Sequence, residues 1–280
     1  MAEANTFGIA GLLGWPVAHS RSPVIHNHWL AHHGIPGRYV LLPVQPDKLE
    51  AAVRGLAPLG LRGCNVTMPH KQAIFPLLDH VDDLARTIGA VNTVVVQPNG
   101  TLRGFNNDGN GFIQSLRDAA PAWHPGAGPI ALLGAGGAAR AVAASLVAQG
   151  ASEIRLMNRT PDKAHEIADA IGPAVQVLNW DDRNEALDGV AVLANATSLG
   201  MAGKPPLEIV LDRLPKQALV GDLIYLPPET PLLAAARARG HVTVNGLGLL
   251  LNQARPAFHA WFGVMPDITP ELHQALAATF

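Results

Sequence analysis

The run Pro129-Ile130-Ala131-Leu132-Leu133-Gly134-Ala135-Gly136-Gly137-Ala138-Ala139-Arg140 decides the fold class. Its apolar start reads as a buried strand, its glycines as a tight turn, and the alanine-rich continuation to Gly150 as a helix. A glycine pattern alone is more often a plain turn, but strand–turn–helix context makes it a dinucleotide-binding signal. Glycines let backbone N–H groups approach a pyrophosphate at the positive end of a helix. Ala139 stands where the usual fingerprint has its third glycine, a position that needs only a small residue for helix–strand packing.

The next strand expected is Glu153–Met157, ending at Asn158-Arg159-Thr160. An NAD-selective site carries Asp or Glu about 20 residues past the glycines, to bind the ribose 2′-hydroxyl. This chain has Arg159 there, with Thr160 beside it and Lys163 one helical turn on. A carboxylate would repel a 2′-phosphate, whereas guanidinium, hydroxyl and ammonium groups bind one. Read blandly, Arg159 and Lys163 are solvated charges at a strand end. Cations at a helix start oppose the macrodipole, however, and two of them point to an anion between them. The expected cofactor is NADP(H).

Composition narrows the class. The chain has 280 residues, enough for one large or two modest domains with buried cores. With 48% hydrophobic and 15% charged residues it suits a compact enzyme rather than a disordered chain. A net charge of −2 provides no basic field to gather nucleic acid or an anionic membrane. Cys64 is the single cysteine, which excludes an internal disulfide and fits a reducing cytoplasm. Glu3 is the one charge before Arg21, so no cationic leader is expected, and no apolar run reaches bilayer length. The expectation is a cytoplasmic monomer or homodimer.

Strand-like and helix-like runs alternate through the first part: Phe7–Leu13, Pro23–His33, Tyr39–Val44, Pro46–Leu56 and Gly63–Val66. Helices are expected over Lys71–Leu78 and Asp82–Ile88, and a hairpin from Thr93–Gln97 through Pro98-Asn99-Gly100 into Thr101–Phe105. A helix around Asp108–Arg117 and the loop 121–129 lead into the glycine-rich unit. Strands are expected again at Ala174–Leu178, Val190–Ala194, Ala218–Leu223 and Val242–Val244, and from Gly246 a long amphipathic helix. Such alternation means a parallel, doubly wound α/β sheet.

Polar clusters fall in turns and at strand ends, where binding sites form. In His19-Ser20-Arg21-Ser22-Pro23, Ser22 reads as a helix cap, but Ser20 has no such role, and two hydroxyls at alternate positions can hold a carboxylate. In Gly63–Lys71, Asn65 and Thr67 share a side of a strand. Lys71 falls in a helix's first turn, where a cation calls for an anionic partner. Gly89-Ala90-Val91-Asn92-Thr93 and Gly104-Phe105-Asn106-Asn107-Asp108-Gly109 follow; alone, Asp108 reads as a turn or capping residue. The last clusters are the turn Asn195–Met201 and the stretch Gly246–Ala254, which embeds Gln253 in an apolar helix.

Twelve histidines raise the question of a metal. His28 and His32 share a helix face, but no Glu base lies between them and no carboxylate or cysteine set accompanies them, so no metal site is expected. No nucleophile elbow is present either.

Together these segments resemble the shikimate dehydrogenase family, in the family's order and over nearly the whole chain. The matching pieces are Gly14-Trp15-Pro16, His19–Asn27, Asn65–Lys71, Gly89–Thr93, the Asn-Asp-Gly turn at 107–109, Gly134–Arg140, Asn158–Thr160, Asn195–Met201 and Gly246–Ala254. The resemblance implies two α/β domains: a substrate domain of residues 1–108 and 246–280, with a C-terminal helix returning to it, and a Rossmann-type NADP domain of residues 109–245. It implies that Ser20 and Ser22 bind the substrate carboxylate, and that Asn65, Thr67, Asn92, Asp108 and Gln253 bind ring hydroxyls. Tyr225 would close the site, and Lys71 and Asp108 match the catalytic pair. The cofactor would meet Gly134, Ala135, Gly136, Gly137, Ala138, Asn158, Arg159, Thr160, Lys163, Thr197 and Gly246. The reaction implied is reversible NADPH-dependent reduction of 3-dehydroshikimate to shikimate, in aromatic amino-acid biosynthesis.

The family pattern Asn-Thr-Asp-Gly is Asn106-Asn107-Asp108-Gly109 here, so Asn107 replaces a threonine beside the aspartate. Asparagine is longer and brings a donor as well as an acceptor. Rival readings are a quinate or aminoshikimate dehydrogenase of the same fold, and an NADP-binding sensor that has lost the chemistry; retention of both Lys71 and Asp108 argues against the sensor.

Overall fold

A computed structural model describes residues 7–279. They form two compact units, one of residues up to 107 with those from 254 onward, the other of residues 108–253.

The first unit opens with strand β1 (Gly8–Gly14), helix α1 (Ser22–His32) and strand β2 (Gly37–Pro43). Helix α2 (Leu49–Gly55), strand β3 (Leu61–Val66) and the short helix α3 (His70–Ala73) follow. Strand β4 (His80–Val81), helix α4 (Asp83–Ile88) and the hairpin of β5 (Thr93–Val96) and β6 (Leu102–Phe105) complete its N-terminal stretch. The sheet order is β2-β1-β3-β5-β6-β4. Its β1, β2 and β3 are parallel, but β5 runs antiparallel to β3 and to β6, so this sheet is mixed rather than wholly parallel. The tight turn at 97–101 is the cause, since a short connection can only return antiparallel. The helix expected over 71–78 stops at Ala73, because Pro76 lacks an N–H and opens a 3-10 turn over Phe75–Leu77.

The second unit begins with helix α5 (Asp108–Ala119) and strand β7 (Ile130–Leu133), then helix α6 (Gly137–Ala148) and strand β8 (Ile154–Met157). Helix α7 (Pro161–Ile171), strand β9 (Val175–Leu178), strand β10 (Val192–Asn195) and strand β11 (Leu219–Asp222) follow. Helix α8 (Pro231–Ala238), strand β12 (Thr243–Val244) and helix α9 (Gly246–Phe262) come next, and helix α10 (Pro270–Ala277) belongs to the first unit. The order β12-β11-β10-β7-β8-β9 is parallel throughout, the doubly wound arrangement the alternation predicts. Both faces are covered: Ile130 and Leu132 pack with Val142 and Leu146, whereas Ala131 and Leu133 pack with Leu232 and Leu233. That explains strands that are apolar without alternation.

Small residues set where the second unit begins. A Cβ on Gly109 would stand 2.1 Å from the Ala141 carbonyl oxygen, and one on Gly111 would stand 2.7 Å from the Gln253 nitrogen. Helix α5 therefore lies backbone to backbone against α6 and against the first half of α9, which puts Asp108 and residues 246–253 in this unit. Gly109→Ala should lower unfolding free energy by about 1–3 kcal/mol, the range for overpacking a tight contact. Urea denaturation measures this, and an unchanged midpoint would show that the crossing has room to spare.

Candidate active site

Ser20 and Ser22 come together at the start of α1. The Ser20 hydroxyl donates to Ser22 Oγ at 3.3 Å and accepts the Ser22 N–H at 3.2 Å. This reverses the expected capping role: Arg21 holds the cap position, Ser22 is the first helical residue, and Ser20 satisfies its free N–H. Pro23 in the first turn keeps the entry rigid.

Asn65 lies at the end of β3 and is only 5% exposed. It accepts from the Tyr39 hydroxyl at 2.7 Å and donates to Asn92 O and Thr93 Oγ1, both at 3.2 Å. Thr93 Oγ1 donates to Asn92 Oδ1 at 2.8 Å, and the Asn107 backbone N–H reaches the same oxygen at 3.0 Å. Thr67 follows β3 with its N–H on Leu13 O, and Lys71 lies half-buried on α3 with its carbonyl accepting from Val91 N. The first unit thus gathers Asn65 and Asn92 into one buried network, with Thr67 and Lys71 on the segment leaving β3. Asn107, the departure from the family pattern, donates its Nδ2 to Thr93 Oγ1 at 3.1 Å and so joins the network.

In the second unit Asp108 is the first residue of α5 and is half-buried. Tyr225 follows β11, and Gln253 lies on α9 with its Nε2 on Leu250 O at 3.0 Å. Gly134 has φ +106, and a Cβ there would meet Ala196 C and O at 2.9 Å. Gly136 caps α6 with extended backbone and no side-chain hydrogen bond. Gly136 and Gly137 are exposed, and a Cβ on either would meet nothing within 4 Å. The first N–H groups of a helix have no intrahelical partner, so this open terminus has donors suited to a pyrophosphate. Gly246 is different: a Cβ there would strike Leu223 O at 2.1 Å, so its smallness serves packing.

Asn158, Arg159 and Thr160 occupy the turn between β8 and α7, where Asn158 Nδ2 donates to Thr160 O at 2.8 Å. Arg159 and Lys163 are exposed and enter no ion pair among the described residues. The donor set thus fits a 2′-phosphate. Thr197 is fixed by Asn195, whose Oδ1 accepts from Thr197 Oγ1 at 2.7 Å.

Sequence reasoning gave no role to Tyr39, Thr93, Asn195 or Asp222. Asp222 is fully buried and accepts from Asn195 Nδ2, Ile224 N and Thr230 Oγ1. Burial raises its carboxyl above the usual range, and the three donors oppose that shift. It ties the Thr197 turn to the segment carrying Tyr225. The available signal was polar residues inside otherwise apolar strands, Asn195 closing β10 and Asp222 closing β11.

Among the described residues no three His, Cys, Asp or Glu side chains are placed to hold a metal, and no helix is long and apolar enough to cross a membrane. The family model for the shikimate dehydrogenase substrate binding domain matches residues 12–94, and that for shikimate / quinate 5-dehydrogenase matches 127–202. A relative in Paramagnetospirillum magneticum, shikimate dehydrogenase (NADP(+)), is 51% identical over 94% of this chain and 96% of its own. Among solved structures, quinate dehydrogenase from Corynebacterium glutamicum in complex with NAD has a TM-score of 0.89 at 30% identity, covering 97% of this chain and 99% of its own. Shikimate 5-dehydrogenase from Thermus thermophilus, in complex with NADP(H) and shikimate, has a TM-score of 0.85 at 33% identity, covering 98% and 100%. With half the residues shared along almost its full length, this chain belongs to the shikimate dehydrogenase family.

Proposed function

We propose that this protein catalyses the reversible NADPH-dependent reduction of 3-dehydroshikimate to shikimate, as a cytoplasmic enzyme. The reading is supported by two arrangements in the first unit, the paired serine hydroxyls and the buried amide network of Asn65, Asn92 and Thr93, which involve residues the family resemblance assigns to the substrate. Bound NADPH supplies a hydride to the carbonyl carbon. The chain's own residues hold the ring, exclude water and handle the proton.

Ser20 and Ser22 take the carboxylate: their hydroxyls are 3.3 Å apart, a spacing that lets each donate to one carboxylate oxygen. Asn65, Thr67, Asn92, Asp108 and Gln253 hold the ring hydroxyls, and Tyr225 covers the site. Lys71 and Asp108 are the catalytic pair. In reduction the Lys71 ammonium donates to the oxygen that becomes the new hydroxyl, or holds its developing negative charge. In oxidation the pair takes that proton back. Arg159, Thr160 and Lys163 bind the 2′-phosphate, with Asn158 shaping their turn. Gly134 to Ala138, Thr197 and Gly246 form the cofactor's floor.

Lys71→Ala should lower kcat by roughly a hundredfold or more with little change in KM, the scale for an acid–base group. Steady-state kinetics in both directions measure this, and a near-normal kcat would remove Lys71 from the chemistry. Arg159→Ala should weaken NADPH far more than NADH; equal losses would refute the 2′-phosphate assignment. Gly136→Ala separates folding from binding. Its Cβ meets nothing within 4 Å, so the melting temperature should hold while NADPH affinity falls. A lowered melting temperature with unchanged affinity would contradict that role.

A further inference from the structure

Tyr39 is one of the largest fully buried side chains and contributes its hydroxyl to the Asn65 network. The surrounding packing holds its ring still. His26 stacks on it at 4.1 Å with an interplanar angle of 6°, and Trp261 lies at 6.0 Å. Asn27 clamps the backbone from both sides, donating Nδ2 to Tyr39 O and accepting Tyr39 N–H, each at 2.9 Å. Burial lowers the His26 pKa to about 3, with Asn65 opposing, and neither ring nitrogen meets hydrogen-bond geometry with a described residue. His26 therefore stays neutral at working pH and serves as a flat wall for the phenol.

The orientation of the Asn65 amide follows from its partners. Asn92 O is a backbone carbonyl and can only accept, so the amide nitrogen must face it. The amide oxygen must then face the Tyr39 hydroxyl, which donates. Both N–H bonds of Asn65 are spent, on Asn92 O and Thr93 Oγ1, and one lone pair of its oxygen is spent on Tyr39. What remains on the amide is one acceptor lone pair of its oxygen, since the neighbouring His26 ring makes no hydrogen bond to it. Burial pushes the Tyr39 hydroxyl well above its usual range, with Cys64 adding to the rise and the Ser22 side chain opposing it.

We propose that Tyr39 is a positioning residue for the substrate: acting through Asn65, it fixes that amide so that its one open hydrogen-bonding position is an acceptor. The ring group that meets Asn65 must then be a donor, a free hydroxyl rather than an ether. The proposal rests on the reading that Asn65 contacts the substrate ring. Without the phenol, Asn65 Oδ1 would lack a buried partner and the amide would lose the contact that holds its oxygen in place.

Tyr39→Phe removes only the hydroxyl and keeps the stacked ring. The KM for shikimate should rise about tenfold, while kcat and the KM for NADP change far less. Asn65→Ala should raise the KM for shikimate by itself, and adding Tyr39→Phe in that background should cost less than a further twofold. A full tenfold effect in the Asn65→Ala background, or an unchanged KM in Tyr39→Phe alone, would overturn the role given to Tyr39 and leave Asn65 in the site. An unchanged KM in Asn65→Ala would remove Asn65 from the site and the proposal with it. The intact protein gives a second readout through inhibition by the 4-O-methyl and 5-O-methyl ethers of shikimate. One ether should bind at least tenfold more weakly than shikimate, and Tyr39→Phe should narrow that ratio; a ratio that the variant leaves unchanged would contradict the proposal.

Discussion

At Gly134 the backbone leaves β7 with φ +106, and the space where a side chain would sit is filled by the Ala196 backbone and the Thr197 methyl. The adjacent turn of the parallel sheet occupies that volume, so only glycine continues the chain there. The consequence is an α6 that starts in the open, with an extended glycine cap and N–H groups that no side chain covers. The opposite wall is equally fixed. Asn195 holds Thr197 with its oxygen and Asp222 with its nitrogen, and Asp222 takes two further donors. Keeping a carboxylate at zero exposure is costly, and the three hydrogen bonds are what make it tolerable. Rigidity of both walls is what an anion cradle requires, since donors that must reorganise lose strength as they bind.

The first unit solves a related problem without a helix terminus. Its polar residues lie inside a mixed sheet, where unpaired amides would destabilise the fold. Each is therefore bound to the next: Tyr39 to Asn65, Asn65 to Thr93, Thr93 to Asn92, and Asn107 to both Thr93 and Asn92. Asn107 clarifies the departure from the family pattern. Its side-chain amide donates to Thr93 Oγ1, and its backbone N–H closes on Asn92 Oδ1 just before Asp108 begins α5.

The parts legible in the sequence were those where local chemistry and fold agree. Pro129–Arg140 reads as strand, turn and helix, and so it is, because glycine conformation and apolar burial are local signals. The hairpin around Pro98-Asn99-Gly100 was legible for the same reason. Helix α3 was overextended, since apolar spacing past Ala73 masked the break that Pro76 imposes. The two-residue strand β4 carries too little pattern to be seen. Ser20 and Ser22 are legible together but with the capping role on the wrong hydroxyl, because two serines two apart offer the same acceptor oxygens. Thr93 and Asn195 stand in polar clusters that the sequence displays, but no individual role for them, or for Tyr39 and Asp222, is legible there, because each also depends on partners distant along the chain. Tyr39 meets Asn65 across a sheet, and no periodicity records that contact.

The most direct measurement is a steady-state comparison of the intact protein with shikimate or quinate as substrate and NADP+ or NAD+ as cofactor. The carboxylate role proposed for the two serines and the phosphate role proposed for the Arg159 cluster predict the highest kcat/KM for shikimate with NADP+, at least about tenfold above each other combination. A preference for quinate or for NAD+ would contradict that account of specificity. NADP+ binding without turnover of either acid would contradict the catalytic role proposed for Lys71 and Asp108.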